Sequence, residues 1–174
     1  MEWFSKRRKS GLEVIERGHV VETYSVIKYK DGDKAYWNKP YDILTNECVS
    51  GVNCLLNAGI TLLLNLLIGN SADNFSAAEI GVGADDDPVA SAAQTALNDA
   101  GAEWAAMEAT FPSVSGSVVT FQGQFADGAA EFNWLECAVK QATGATTLLN
   151  RVCADKGTKA AGEVWSAKLQ ITLT

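Results

Sequence analysis

Apolar and polar residues alternate with a period of two over much of the C-terminal half of this chain. The clearest run is residues 165–174, and shorter runs occur at residues 119–125, 132–134 and 148–153. This period places successive side chains on opposite faces of a β-strand. The pattern therefore predicts several antiparallel strands, and the short turn signals between them predict pairing between sequence neighbours.

The N-terminal part of the chain also carries strand signals. β-Branched and aromatic residues predict strands at residues 12–15 and 20–30, and a further short strand at residues 78–82. In residues 20–30, Glu22 and Lys28 fall on the polar side of the alternation. The pattern is typical of an exposed or edge strand.

Residues 53–69 form the most apolar stretch, and their polar residues Asn53, Asn57, Thr61 and Asn65 recur every four positions. On a helix this spacing gives one narrow polar stripe, with leucine, isoleucine, alanine and glycine elsewhere. Gly69 is a typical helix stop. The stretch is shorter than the roughly 20 apolar residues of a bilayer span, so it is interpreted as the buried core helix of a soluble domain.

Charge is distributed unevenly along the 174 residues, whose formal net charge is −7. Residues 1–40 hold nine basic and six acidic residues, and the remaining chain holds five basic and fifteen acidic residues. A basic segment on an acidic body suits an acidic partner, and the acidic body argues against a nucleic-acid surface. A solvated basic tail is the alternative.

Together these patterns predict a mainly β (α+β) fold. Residues 1–45 are expected to be an extended basic N-terminal arm with short strands. Residues 46–174 are expected to form an antiparallel β-sandwich or jelly-roll-like body that includes one buried apolar helix at 53–69.

Residues with catalytic or metal-binding chemistry do not form a recognisable motif. The four cysteines lack CxxC spacing and His19 is the only histidine, so neither a zinc site nor a cofactor is predicted. Buried free thiols are expected, with a Cys137–Cys153 disulfide as the alternative. Four acidic residues could supply the pair of carboxylates that sugar-cleaving enzymes use, and the sequence does not show which two would do so. These are Glu108, Asp127, Glu131 and Glu136.

Two groups of residues are predicted to bind partner proteins. Aromatic residues would supply most of the binding energy, because exposed ion pairs contribute only about 0–1 kcal/mol each. The first group lies in the predicted arm: Trp3, Phe4, Lys6, Arg7, Arg8, Lys9 and Trp37. The second is the acidic turn Asp85, Asp86 and Asp87, which lacks the ligand spacing of an EF-hand. The alternative is a solvated turn with no binding role.

The order of several short motifs resembles a group of virion structural proteins of tailed bacteriophages. The resemblance covers about residues 50–174 and departs from the usual pattern near Cys137 and Ala138. Its motifs are LNAGI at 56–60, IGVG at 80–83, QTAL at 94–97, the segment 107–125, EFNWLE at 131–136, LLNR at 148–151, GTK at 157–159 and the closing strand 165–174.

The resemblance implies a non-enzymatic protein of the virion, made in the host cytoplasm and placed on the capsid exterior. Such a capsid decoration or cement protein would bind the major capsid protein and copies of itself, as a trimer or another homo-oligomer. No nucleic acid, membrane or small-molecule substrate is expected as a partner. The alternative is a tail or tail-fibre component involved in host-surface recognition.

Overall fold

The computed structural model describes residues 3–9, 12–18, 20–30, 41–47, 53–72, 74–87, 89–142 and 147–173. These residues contain one helix, α1 (Asn57–Leu67), and twelve strands. The strands are β1 (Trp3–Lys9), β2 (Leu12–Gly18), β3 (Val20–Lys30), β4 (Tyr41–Glu47), β5 (Asn53–Leu55), β6 (Ala78–Gly83), β7 (Glu103–Ala106), β8 (Ser113–Ser115), β9 (Val118–Phe125), β10 (Glu136–Gln141), β11 (Asn150–Cys153) and β12 (Glu163–Leu173).

Ten strands form two five-stranded antiparallel sheets. The first sheet has the order β5-β11-β10-β6-β7, and the second has the order β4-β3-β12-β9-β8. β1 and β2 pair only with each other, as a separate two-stranded hairpin. The prediction of a mainly β fold with antiparallel sheets is confirmed, and the arrangement is β-sandwich-like.

The hydrophobic core lies between the two sheets. Trp134 is fully buried at its centre, with its ring centroid 5.0 Å from that of Phe125 and 4.9 Å from that of Trp165. Both pairs are edge-to-face, the arrangement favoured by the ring quadrupoles. The indole Nε1–H of Trp134 donates to the carbonyl of Ala130 at 3.0 Å, so its polar atom is satisfied inside the core.

The face predicted for the last strand is confirmed over most of its length. Trp165, Leu169 and Ile171 are buried in β12, whereas Leu173 at its end is exposed. Ser166 was predicted on the polar face and is nevertheless buried, because its hydroxyl donates to the Glu108 carboxylate at 2.7 Å. That face is therefore partly covered by the chain around Glu108.

Three turns in the C-terminal half were predicted to connect paired neighbouring strands. One of them does so, and two do not. β10 and β11 pair with each other, although β10 begins at Glu136 and the predicted strand at 132–134 is not a strand. β9 and β10 lie in different sheets, as do β11 and β12. The turns at 126–128 and 155–157 therefore lie on crossings between the sheets, and apolar residues of β9 and β10 belong to one buried cluster.

Residues 20–30 form an interior strand, which corrects the prediction of an exposed or edge strand. β3 lies between β4 and β12 and pairs with β12 along its whole length. Glu22 is buried with Tyr24 and Val26, and its carboxylate accepts a hydrogen bond from Asn150 Nδ2 of the first sheet at 3.1 Å. This buried hydrogen bond explains why a glutamate is tolerated on the inner face.

Two strands that begin within the predicted arm, residues 1–45, belong to the second sheet. These are β3 (Val20–Lys30) and β4 (Tyr41–Glu47). Among the described strands, β1 and β2 are the two that lie outside both five-stranded sheets.

The helix is shorter and far less buried than predicted. Residues 53–55 are strand β5, which pairs with β11, so α1 begins only at Asn57. Gly59 is the one residue of α1 that is buried. The predicted stop is confirmed, because Gly69 has a φ of +71° and its amide bonds the carbonyl of Leu66 at 3.1 Å.

Gly59 explains how the helix is attached. A Cβ atom at this position would lie 2.5 Å from the carbonyl oxygen of Leu149 and 2.6 Å from its Cα. The absence of a side chain therefore lets the helix backbone contact the backbone of the first sheet. Ile60 and Leu62 of α1 pack against the core, whereas Leu63, Leu64 and Leu67 are exposed. The helix therefore covers the core with one side, and the prediction of a buried helix is wrong.

Cys137 and Cys153 are free thiols, so the alternative of a disulfide between them is excluded. Cys137 pairs in register with Val152, and Cys153 pairs with Glu136. The two cysteines are therefore not directly opposite each other across the strands.

Candidate functional site: an apolar helix face and its recess

The predicted arm residues are placed by the structure on the isolated hairpin. Trp3, Phe4, Lys6, Arg7, Arg8 and Lys9 all belong to β1, whose register runs from Trp3 opposite Gly18 to Lys9 opposite Leu12. The two strands together carry five basic and two acidic residues. Trp37, the remaining predicted arm residue, lies outside the described residues.

The acidic turn follows β6 and is organised by hydrogen bonds within its own loop. The Asp85 carboxylate accepts the amide of Asp87 at 2.9 Å, and the Asp87 carboxylate accepts the amide of Val89 at 3.1 Å. Asp86 is exposed. Among the described residues no group of three His, Cys, Asp or Glu side chains is arranged to hold a metal ion.

A buried ion pair holds this acidic loop on the first sheet. Arg151 Nε lies 2.7 Å from a carboxylate oxygen of Glu136, and neither side chain is exposed. Arg151 also donates to the loop carbonyls of Val89 at 3.1 Å and Asp87 at 3.3 Å. The sequence carries a signal for this contact, since an arginine inside an apolar strand must find an anionic partner when it is buried.

The other candidate carboxylates also have partners in the fold. Glu108 accepts hydrogen bonds from Gln122 and Ser166, at 3.1 and 2.7 Å. Asp127 accepts the amide of Gly162 at 2.7 Å, and Glu131 accepts the amide of Gly128 at 3.0 Å. These contacts organise turns and one sheet face.

Three ionisable groups of the core, those of Tyr24, Cys137 and Cys153, are held in their neutral forms. Burial raises the pKa of the Tyr24 hydroxyl and that of the Cys137 thiol well above their usual ranges. Burial also raises the pKa of the Cys153 thiol, although the guanidinium of Arg151 opposes that shift. A thiol that stays protonated is a poor nucleophile, so these two cysteines act as small core residues.

A recess of about 360 Å³ lies next to Trp104. The Trp104 ring lies against Gly81, where an added Cβ would come within 2.5 Å of the ring. Lys140 Nζ lies 4.0 Å from the ring centroid. Because the ring already packs on these two neighbours, it is not a free platform for stacking a sugar.

The exposed side of α1 is the most distinctive surface of the described chain. Leu67 is 82% exposed and the following Ile68 is 74% exposed, and Leu63 and Leu64 are also exposed. We call these four residues the α1 face. The helix carries no charged residue in its first or last turn, so the face is both apolar and uncharged.

An apolar recess of about 560 Å³ lies beside the α1 face, between the helix and the edge of the second sheet. None of the described residues that line the recess is charged. Its main apolar walls are Leu63, Leu66, Val114, Val119, Phe121, Ile171 and Leu173. Val114 and Leu173 at its rim are 76% and 63% exposed.

The α1 face and the recess form one continuous apolar surface, since Leu63 belongs to both. Single exposed apolar residues are common, but a grouped set rimmed by polar residues is typical of an interaction site. Sequence reasoning found the apolar helix but assigned it to the core. Nothing in the sequence distinguishes an apolar helix that faces its own core from one that faces a partner.

Among the described residues there is no helix long and apolar enough to cross a bilayer. Comparison of the chain with family models, curated proteins and solved structures gave no match. The function is therefore inferred from the surface of the chain and from its sequence pattern.

Proposed function

We propose that this chain is a non-enzymatic structural protein of a tailed-phage virion, and specifically a decoration protein on the capsid exterior. It would stabilise the shell by binding the major capsid protein and copies of itself. In this proposal the body is a jelly-roll-like sandwich, and the β1–β2 hairpin is the basic arm that reaches a neighbouring subunit.

The observation that carries the proposal is the grouped, uncharged apolar surface of the α1 face and the recess. Exposing Leu67 and Ile68 to water is unfavourable, and covering aliphatic side chains of this size yields about 1.5–3 kcal/mol each. A protein that works by binding other subunits recovers this free energy on assembly.

Two further features support an assembly role. The hairpin is basic, whereas residues 41–174 carry a net charge of −10, so the hairpin is attracted to an acidic surface such as the body of another copy. A two-stranded hairpin alone is marginally stable in water, so contact with a neighbouring subunit would also stabilise it. The order of motifs between residues 50 and 174, which resembles virion proteins, points in the same direction.

The test begins with phage particles produced with and without the gene for this chain. Quantitative mass spectrometry would give its copy number relative to the major capsid protein, and cryo-electron microscopy would locate it. We expect many copies on the shell, and particles without the protein should release DNA at a lower temperature. Absence from the virion, or a few copies at the tail end, would overturn the capsid assignment.

The role of the hairpin is tested in the full-length chain, because deleting residues 1–40 would also remove the interior strand β3. We expect the double variant Lys6→Glu/Arg8→Glu to reduce shell occupancy. Lys168→Glu on the body is the control for charge reversal and should leave occupancy unchanged. Equal occupancy of all three proteins would remove the hairpin from the proposal.

A further inference from the structure

We infer that the segment between β6 and β7 is a strap that opens as one unit while both five-stranded sheets stay folded. The strap consists of the described residues 84–87 and 89–102, which contain neither helix nor strand. Connections of this length without secondary structure are uncommon in compact domains and are usually functional, as lids or binding loops. The inference does not depend on the proposed function, because it concerns a motion of the purified chain.

The two ends of the strap are held together independently of its middle. β6 and β7 pair in register from Glu79 opposite Ala106 to Val82 opposite Glu103, so the chain leaves the first sheet and returns to it at neighbouring positions. The pairing of β6 with β10 is likewise made by residues outside the strap. Lifting the strap therefore breaks no hydrogen bond between strands.

Hydrogen bonds within the strap link its beginning to its end. The Asp99 carboxylate accepts the amide of Ala84 at 2.7 Å, and Asn98 Nδ2 donates to the Asp87 carboxylate at 3.3 Å. These bonds involve no residue of the sheet, so they are kept when the strap leaves it. The segment is therefore expected to move as one body, in the manner of a cooperative local unit.

Most of the hydrogen bonds that hold the strap on the first sheet converge on the buried pair of Arg151 and Glu136. Arg151 donates to carbonyl oxygens in the first half of the strap. The Glu136 carboxylate accepts the amides of Asn98 and Asp99 in the second half, at 3.2 and 2.8 Å. Opening of the strap exposes both charged partners to water together, so neither is left buried without a partner.

Few apolar contacts oppose the opening. Among the described residues of the strap, Ala90 and Leu97 are the buried ones. Leu97 packs with Ala138 and Leu148 in a small cluster that is separate from the core between the sheets. Segments with few buried apolar contacts open at a lower free energy than the core, so the strap should open far more often than the chain unfolds.

Two recesses have the strap as one wall. The first, of about 190 Å³, lies between residues 85–87 and Cys153 of β11, whose side chain is buried. The second, of about 360 Å³, lies between residues 95–102 and the side chains of Trp104 and Lys140. Lifting the strap opens both recesses to solvent and exposes the Cys153 thiol, which therefore reports the motion.

The experiment measures how fast each cysteine of the whole chain reacts with iodoacetamide, with the labelled site identified by peptide mass spectrometry. Each rate is divided by the rate for the same thiol in the urea-unfolded chain. Cys137 is fully buried between the sheets and reports global unfolding. We expect the normalised rate of Cys153 to exceed that of Cys137 by about a hundredfold or more. It should also rise less steeply with urea, because opening the strap exposes less surface than unfolding does.

Two variants separate opening of the strap from unfolding. Leu97→Ala removes an apolar contact of the strap and should raise the rate of Cys153 by about tenfold or more. Ile171→Val lies in the core and should raise the rate of Cys137 by about two- to tenfold. It should leave the rate of Cys153 unchanged, because the open chain keeps that core. Hydrogen exchange at the amide of Asp99 should follow Cys153 in both variants.

Equal normalised rates and equal urea slopes for Cys153 and Cys137 would overturn the inference. An increase of the Cys153 rate in Ile171→Val that matches the increase for Cys137 would do so as well, because both thiols would then react only in the unfolded chain. A Cys153 rate that Leu97→Ala leaves unchanged would also overturn it, since the thiol would then react without any motion of the strap.

Discussion

Replacing Arg151 by methionine should be among the most destabilising substitutions in this chain. Methionine keeps much of the aliphatic length of the side chain but removes its charge and all its donors. The change breaks the 2.7 Å contact with Glu136 and the hydrogen bonds to the loop carbonyls of Val89 and Asp87. Both partners of the ion pair are fully buried, so water cannot replace the lost contacts without opening the loop.

The expected magnitude is about 3–5 kcal/mol, the usual cost of removing one partner of a buried ion pair. The remaining Glu136 carboxylate keeps two hydrogen bonds, from the amides of Asp99 at 2.8 Å and Asn98 at 3.2 Å. These place the expected cost nearer the lower end of the range. For a chain of this length, about 3 kcal/mol corresponds to a fall in Tm of roughly 6–12 °C.

Urea unfolding followed by tryptophan fluorescence provides the measurement. Lys140→Met is the comparison, because Lys140 pairs with Glu79 at 3.0 Å while both side chains remain partly exposed. That pair and the contact with Trp104 should together contribute at most about 2 kcal/mol. Equal losses for Arg151→Met and Lys140→Met would refute the reasoning from burial.

A sharper test is whether a double variant is more or less stable than Arg151→Met alone. Adding Glu136→Gln to Arg151→Met removes the carboxylate that was left unpaired, so the double variant should be more stable than Arg151→Met alone. Hydrogen exchange at the amides of Asn98 and Asp99 should be faster in both. If the double variant is the less stable one, the unpaired buried charge is not what destabilises Arg151→Met.

Three further predictions follow from other contacts. Gly59→Ala should lower the free energy of unfolding by about 1–3 kcal/mol although alanine favours helix, because its Cβ would clash with the neighbouring backbone; Ala58→Gly should cost only about 1 kcal/mol, and thermal unfolding compares them. Because burial raises the pKa of Cys137 above its ordinary value of 9.0, the unfolded state loses this proton first. Stability should therefore fall above about pH 9, by up to about 1.4 kcal/mol per pH unit for this thiol, and less steeply in Cys137→Ala when urea unfolding is repeated across that range. Gly81→Ala should displace the Trp104 ring, which rests on Gly81, and red-shift the tryptophan emission; an unchanged emission spectrum would contradict this packing.

The antiparallel β-structure could be predicted because strand periodicity is a local property of the sequence. In β12, Trp165 and Leu169 are buried as expected, since side chains two residues apart share a face. The pairing of strands could not be predicted in the same way. β3 pairs with β12, which lies more than 130 residues later in the chain, and no local pattern in residues 20–30 specifies that partner.

The candidate surface could be predicted only in part. The apolar composition of α1 was visible in the sequence, but the burial of a helix depends on which elements cover it. Here the recess beside the helix is formed by residues from distant parts of the chain, such as Val114 and Leu173. The Arg151–Glu136 pair was missed because charge spacing in sequence does not report a contact between neighbouring strands.

The exposure of α1 bears directly on what the helix is for. The core between the sheets contains large aromatic side chains, among them Trp134 and Phe125, and Leu67 and Ile68 are not part of it. The helix needs Gly59 and its few inward residues to stay attached, so its outward leucine and isoleucine residues add little to the stability of the isolated chain. Polar residues at those positions would fold equally well and would reduce aggregation. An apolar surface that does not contribute to the fold is the surface that the proposed contacts with other subunits would cover.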